Sequence, residues 1–217
     1  MNTYSDFLLL IVIVLDVYAV ATTRLMACVK ASALQGIVLA LLPVAMWWSG
    51  APTPFGHVLV MAGCTLAFKS IAIPIMLSRA IRNVDVRREV EPFVSLHLSV
   101  LLAAILVGVS FWLGESLGLS AAAPSRLLVP TSFSTLFVGF LILVNRKKAI
   151  TQVIGYLLIE NGIFVFSQSV AAKMPVVVEL GVLLDLLVAI FVMNIVIHQI
   201  SREFDHINVD KLDLLKG

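Results

Sequence analysis

The chain has 217 residues, of which 60% are hydrophobic and only 13% are charged, with a formal net charge of +2. Soluble domains carry about 25% charged residues, so this composition excludes an ordinary soluble domain and indicates a polytopic membrane protein. The basic residues lie in loops between apolar runs rather than in one patch, and we expect no nucleic-acid partner.

Long apolar runs recur along the whole chain. Lipid offers no hydrogen-bond partners to the backbone, and the runs are continuous rather than short and alternating, so they predict helices and not barrel strands. Gly50, Pro52 and Pro54 in the turn 50–54 and Pro124 in the segment 121–125 support the boundaries, and Pro175 opens the last run. The sequence thus predicts an all-α membrane bundle of seven transmembrane helices. The predicted spans are 6–24, 32–49, 57–78, 92–114, 127–145, 149–171 and 176–200.

The basic residues are sorted by side. Of the 15 Lys and Arg residues, twelve fall on one predicted face, in the segments 24–30, 79–88, 146–148 and 202–216. Only Arg126 and Lys173 fall on the other face, and Lys69 lies within a span. Because basic loops stay in the cytoplasm, we expect the N-terminus outside and the C-terminus in the cytoplasm. No Lys or Arg precedes the first run, so we expect a retained span rather than a signal peptide.

Patterns typical of catalysis or metal binding are missing from the sequence. Cys28 and Cys64 stand far apart without CxxC spacing, and we expect two unpaired residues within the membrane. We find no metal-ligand spacing, Gly-rich phosphate loop or Ser/His/Asp arrangement. The expectation is therefore a chain without catalytic residues, metal or cofactor of its own.

Ionisable residues inside the predicted spans are the main functional signal. A charge at the centre of a bilayer costs at least ~2.5–3.5 kcal/mol, so several of them mark either an ion path or ion pairs between helices. The residues of this candidate proton or ion pathway are Asp16, Lys69, His97, Glu160, Glu179, Asp185 and His198.

Glu160 and Lys69 are the deepest of these residues. Glu160, beside Asn161, lies in the middle of its span, where a proton site and a buried structural carboxyl are the two interpretations. Lys69 lies five residues before Pro74, which can kink the helix and free a carbonyl. Lys69 is either a relay element or one half of a salt bridge to Glu160 or Asp185, and the two roles are compatible.

The remaining candidates carry less information. Glu179 and Asp185 are six residues apart and do not share a helix face, so any relay steps between helices or through water. Asp16 is deep enough in the first span to need a partner. His97 lies near a helix start, where interfacial histidines are common, and His198 lies near the cytoplasmic end.

A family resemblance rests mainly on residues 146–217. The run RKKAITQVIGYLLIENGIFVF, the last span VVVELGVLLDLLVAIFVMNIVIHQI and the tail HINVDKLDLLKG resemble hydrogenase-4 component E. That protein is a membrane subunit of formate-hydrogenlyase-type, group 4 membrane-bound [NiFe] hydrogenases. The specific pieces are GYxLxENG, VExG, the aspartate six residues after that glutamate, and the closing LKG.

The last three spans are also similar to the small K subunit of bacterial complex I. That family has three helices, a short basic loop (here 146–148) and carboxylates in the second and third helices. Glu160 lies one turn beyond the position of the family's first carboxylate, which is Leu157 here, and Asp185 lies one turn before the second, near Ala189. A one-turn shift keeps a side chain on roughly the same face, so the correspondence is by face and depth.

These resemblances divide the chain into a four-helix region, 1–126, and a K-subunit-like region with a cytoplasmic tail, 127–217. Residues 1–85 resemble a diverged copy of the last three helices. In that alignment Leu34-Gln35-Gly36-Ile37 falls on Glu160-Asn161-Gly162-Ile163.

The resemblance implies a place in a larger assembly in a bacterial or archaeal cytoplasmic (inner) membrane. The implied partners are antiporter-like membrane subunits, an arm-anchoring membrane subunit and a peripheral arm that holds the [NiFe] site and iron–sulfur clusters. The implied function is proton or sodium translocation driven by electron transfer. In it, the positive charge of Lys69 would bias the proton affinity of Glu160, Asp185 and Glu179. A purely structural scaffold and an independent transporter are the alternatives.

Overall fold

The computed structural model describes residues 3–50, 53–83, 93–118, 123–146 and 149–170. The predicted last span, 176–200, with its candidates Glu179, Asp185 and His198, lies outside the described residues. The described part is helical throughout its regular structure, as the sequence predicted. Its helices are α1 (Thr3–Ala21), α2 (Leu25–Trp48), α3 (Phe55–Thr65), a π-helix (Leu66–Ala72), α4 (Ile73–Asn83), α5 (Leu96–Ser116), α6 (Leu128–Asn145) and α7 (Ala149–Val170).

Five stretches of these helices are long and apolar enough to cross a membrane. They are Thr3–Ala21, Leu25–Trp48, Phe55–Arg79, Leu96–Ser116 and Leu128–Asn145, and they match the first five predicted spans. The third of them joins α3, the π-helix and α4 without a break. Helix α7 has 22 residues and coincides with the sixth predicted span. These features indicate a polytopic membrane protein.

Helix α2 begins seven residues before the predicted start at 32. The turn after α1 occupies only residues 22–24, and Arg24 at the N-cap has an extended backbone with φ −99° and ψ 120°. Lys30 is therefore inside the helix, but it is exposed. A lysine close to a helix end can extend its ammonium group toward the interface, so its charge did not have to lie in a loop.

Helices α6 and α7 form a tight antiparallel pair. A Cβ atom added to Gly139 of α6 would lie 2.9 Å from the carbonyl oxygen of Gly155, and one added to Gly162 of α7 would lie 2.8 Å from the backbone nitrogen of Leu136. Glycine therefore lets the two backbones touch, as small residues do at helix interfaces in membranes. This contact fixes the rotation of α7 relative to α6.

Polar contacts join the helices at both ends of the bundle. At one end, Ser125 Oγ donates to Asp6 of α1 at 2.5 Å. At the other end, the Arg146 guanidinium is buried and donates to the carbonyl oxygen of Val20, in the last turn of α1, at 2.9 Å. Burial lowers the pKa of Arg146 from its usual value, but a guanidinium stays charged in proteins. Its charge lies where the negative end of the α1 dipole favours a cation.

Asn145, the last residue of α6, positions the start of α5. Its side-chain oxygen accepts from the backbone N–H of Val94 at 2.9 Å, and its amide nitrogen donates to Ser99 Oγ at 2.7 Å. Its carbonyl oxygen accepts from the N–H of Phe93 at 2.9 Å. The ends of α1 and α6 and the starts of α2 and α5 therefore lie at one end of the bundle.

Candidate functional site

A buried ion pair joins the two deepest predicted residues. Lys69 Nζ lies 3.0 Å from Glu160 Oε1, and the side chains are 4% and 2% exposed. Lys69 belongs to the π-helix and Glu160 to the middle of α7. The salt bridge that the sequence offered as one role of Lys69 is thus present, with Glu160 as its partner.

Hydrogen bonds extend this pair across the bundle. Lys69 Nζ donates to Asn161 Oδ1 at 3.1 Å, and Asn161 Nδ2 donates to Gln35 Oε1 at 3.0 Å. Gln35 Nε2 donates to Asp16 Oδ1 at 2.8 Å, and the other carboxyl oxygen of Asp16 lies 2.7 Å from Thr135 Oγ1. We call this set, together with Glu160, the polar layer. It connects α1, α2, the π-helix, α6 and α7.

The polar layer separates two apolar clusters. One cluster lies toward the end of the bundle that holds Arg146, and the other lies toward the end that holds the Asp6–Ser125 contact. The first includes Ala19, Leu25, Cys28, Ile73, Leu77, Val138, Ile142, Val153, Ile154 and Leu157. The second includes Leu9, Val12, Val38, Leu39, Leu42, Leu128, Phe164 and Val165. On α1, α2, α6 and α7 the polar residue falls in sequence between members of the two clusters. The layer therefore runs across the helices rather than along them.

The π-helix determines where Lys69 lies. The N–H of Ile73 donates to the carbonyl oxygen of Phe68, the i→i+5 bond of a π-helix. Pro74 follows directly and has no N–H to donate, so it frees a carbonyl in the preceding turn. The sequence predicted a kink from Pro74, and the irregularity takes the form of a seven-residue π-helix with Lys69 at its centre. The Phe164 ring centroid lies 5.0 Å from Lys69 Nζ and adds a cation–π contact.

Two glycines set the spacing around the ion pair. Gly162, next to Asn161, brings α7 against α6, and Gly36, next to Gln35, brings α2 against the backbone of Lys69. Both side-chain amides of the polar layer, Gln35 and Asn161, are thus followed directly by a glycine, and at that glycine the helix packs closely against a neighbouring helix. This recurrence agrees with the alignment of residues 34–37 with 160–163, although the repeat itself remains a prediction.

The structure brings together three of the predicted site residues, Asp16, Lys69 and Glu160. His97 is exposed at the start of α5, and in the described ranges no hydrogen bond joins it to the polar layer. Three residues of the layer, Asn161, Gln35 and Thr135, were not predicted as site residues, although the sequence showed Asn161 beside Glu160. The available signals were an amide inside an apolar span for Gln35, and the run TSFST, 131–135, for Thr135.

Both cysteines are free, with Cys28 buried and Cys64 exposed on α3. Cys28 Sγ donates to the carbonyl oxygen of Ala19 at 3.7 Å. Within the part of the chain that the structure describes, no three His, Cys, Asp or Glu side chains are grouped closely enough to hold a metal ion. The absence of a cofactor from the whole chain stays a prediction.

Comparison with known proteins supports the resemblance. The chain is 28% identical over 193 residues to the uncharacterized protein Rv0085 of Mycobacterium tuberculosis, covering 88% of this chain and 86% of that protein. It is 24% identical over 161 residues to hydrogenase-4 component E of Escherichia coli K12, covering 74% of both chains, and matches the Shigella flexneri protein of that name equally. It matches no protein-family model and no solved structure. The similarity over three quarters of the chain confirms the resemblance to hydrogenase-4 component E that the sequence indicated.

Proposed function

We propose that the chain is an integral membrane subunit of a complex of the group 4 membrane-bound [NiFe] hydrogenase type. In this role it carries protons or sodium ions laterally through the membrane arm. The similarity to hydrogenase-4 component E and the helices that are long enough to span a membrane support this proposal. The chain would contribute no redox centre, and the [NiFe] site and iron–sulfur clusters would belong to the peripheral arm.

The observation that carries the proposal is the Lys69–Glu160 pair within the polar layer. Ionisable residues buried between transmembrane helices are typical of ion paths. The apolar clusters on both sides hinder movement along the helix axes, whereas the layer itself continues from helix to helix. We propose that Asp185 and Glu179 of the last span continue the path toward the antiporter-like subunits.

The proposed topology has seven spans, with the N-terminus outside and the C-terminus in the cytoplasm of a bacterial or archaeal cell. The contact of Arg146 with the end of α1 supports this arrangement, because it places Arg146 at the same end as Arg24. Both residues belong to the basic face assigned to the cytoplasm.

Pulldown of the tagged chain from gently solubilised membranes, followed by mass spectrometry, tests the assembly. We expect antiporter-like membrane subunits, an arm-anchoring membrane subunit and the large subunit of a [NiFe] enzyme. A chain that purifies alone would overturn the proposal, and the polar layer would then be the substrate site of an independent transporter.

The Glu160→Gln variant tests the ion path. It preserves the size of the side chain and an oxygen that can accept from Lys69, but it cannot ionise. We expect normal assembly with loss of ion translocation driven by electron transfer in inverted vesicles. Glu115→Gln, an exposed position at the end of α5, is the matched control and leaves translocation unchanged. Loss of assembly together with activity would indicate a scaffold, and normal translocation would exclude Glu160 from the path.

A further inference from the structure

We propose that Asp16 is a second proton-binding site whose occupancy opposes that of Glu160. Asp16 holds a proton while Glu160 is ionised and paired with Lys69, and it releases this proton when Glu160 becomes protonated. This inference rests on the proposed function and deepens it, because it gives the polar layer two proton sites that are joined by amides.

The direction of the hydrogen bonds follows from Lys69. An ammonium group has donors only, so the atom of Asn161 that faces it must be the oxygen. The Asn161 nitrogen then donates to the Gln35 oxygen, and the Gln35 nitrogen donates to Asp16 Oδ1. In each of these three hydrogen bonds the donor lies on the Lys69 side and the acceptor on the Asp16 side. Oδ1 of Asp16 therefore accepts a hydrogen bond, and a proton on this carboxyl belongs to Oδ2.

The surroundings of Oδ2 favour that proton. Thr135 Oγ1 lies 2.7 Å from Asp16 Oδ2 and 2.9 Å from the carbonyl oxygen of Thr131. One hydroxyl has a single hydrogen, so with an ionised Asp16 one of these two oxygen pairs lacks a full hydrogen bond. With a neutral Asp16, Oδ2–H donates to Thr135 and Thr135 donates to Thr131. Both contacts are then satisfied.

The charges of the layer lead to the same conclusion. Lys69 and Glu160 neutralise each other at 3.0 Å, and Asp16 is 0% exposed. No described cation forms an ion pair with Asp16, so an ionised Asp16 would add a negative charge to a buried region, which is costly, whereas a neutral Asp16 adds none. The other described ionisable groups on α1, and on or next to the helices that pack against it, are not part of the polar layer. They are Tyr4, Asp6, Tyr18, Arg24, Cys28, Lys30, His97, Glu115, Arg126 and Arg146.

Protonation of Glu160 reverses this balance. Lys69 then loses the negative charge of Glu160 beside it, and the effect of its own positive charge reaches Asp16 through Asn161 and Gln35. Aligned hydrogen bonds polarise one another, so the Gln35 N–H becomes a stronger donor and favours the ionised form of Asp16. The amide nitrogens and oxygens do not have to pass a proton for this to occur. The two sites are thus coupled, and the coupling is reciprocal.

Infrared spectroscopy of the full chain in its purified assembly, or alone in detergent, tests the proposal. A protonated buried carboxyl has a C=O stretch above the amide bands. We expect such a band at neutral pH in the wild type, its loss in Asp16→Asn, and its retention in the control Glu115→Gln. Thr135→Val, which is isosteric, shifts the band without abolishing it and remains informative where Asp16→Asn does not fold.

The coupling has its own readout. Glu160→Gln mimics a protonated Glu160, so we expect loss of the Asp16 band at neutral pH. The double variant Glu160→Gln/Lys69→Met removes both charges and restores the band. A band that survives Asp16→Asn and ignores Thr135→Val, or that persists unchanged in Glu160→Gln, would overturn the inference. These results are independent of translocation, so failure of the coupling and failure of the proposed ion path are distinguishable.

Discussion

Gly36 of α2 lies directly against the backbone of Lys69. A Cβ atom added to Gly36 would lie 2.9 Å from the carbonyl carbon of Lys69 and 2.8 Å from Ser70 Oγ. Neither distance is compatible with ordinary van der Waals contact, so a larger residue must push the π-helix away from α2. The position of the ion pair thus depends on a residue that carries no charge.

The Gly36→Ala variant should therefore weaken the polar layer. We expect a loss of stability of ~1–3 kcal/mol, the usual scale of overpacking, and reduced ion translocation because Lys69 moves relative to Glu160 and Asn161. Thermal unfolding in detergent and a vesicle transport assay measure the two effects. The control is Gly63→Ala on α3, where an added Cβ meets nothing within 4 Å. Equal behaviour of the two variants would contradict the close approach.

The Pro74→Ala variant tests whether this proline maintains the π-helix. Alanine restores an N–H, so a regular α-helical ladder becomes available and the face that carries Lys69 rotates. We expect retained assembly with impaired translocation. Pro43→Ala is the matched control, since Pro43 is also buried inside a helix but that helix, α2, stays α-helical. A Pro74→Ala variant with full activity would mean that the π-helix forms without the proline.

Arg146 should be important for stability rather than for ion movement. Arg146→Met leaves the Val20 carbonyl without its donor at a buried site, and we expect a loss of ~1–3 kcal/mol. Circular dichroism during heating in detergent measures this loss. Arg126→Met, which removes an exposed arginine, should have a much smaller effect. A similar decrease in both variants would show that net charge, and not the contact with α1, matters.

The two cysteines should differ in reactivity. Cys64 is exposed on α3, whereas Cys28 is 4% exposed between helices. In mild detergent, we expect an uncharged maleimide to modify Cys64 first and Cys28 only after unfolding. Cys64→Ser should remove the fast reaction and Cys28→Ser should leave it. Fast modification of Cys28 would mean that the junction of α1 and α2 is open.

The sequence predicted the helices well where the signal was a long apolar run. The spans near 6–24, 127–145 and 149–171 agree with α1, α6 and α7 to within a few residues. The start of α2 was misplaced because an exposed Lys30 is tolerated inside a helix near its end. The prediction for Pro74 gave the location of an irregular turn but not its form, since a missing N–H can be accommodated by a kink or by a π-helix.

Composition and spacing by themselves determined that the chain belongs in a membrane, that its spans are helical and that Asp16, Lys69 and Glu160 are costly residues that need partners. These conclusions follow from transfer energies, which depend on residue type alone. Only the tertiary structure decided that Lys69 pairs with Glu160, that Asn161 and Gln35 connect the pair to Asp16, and that Thr135 contacts Asp16. Such contacts depend on helix rotation and close approach, which Gly36, Gly162 and the π-helix set and which no single apolar run encodes.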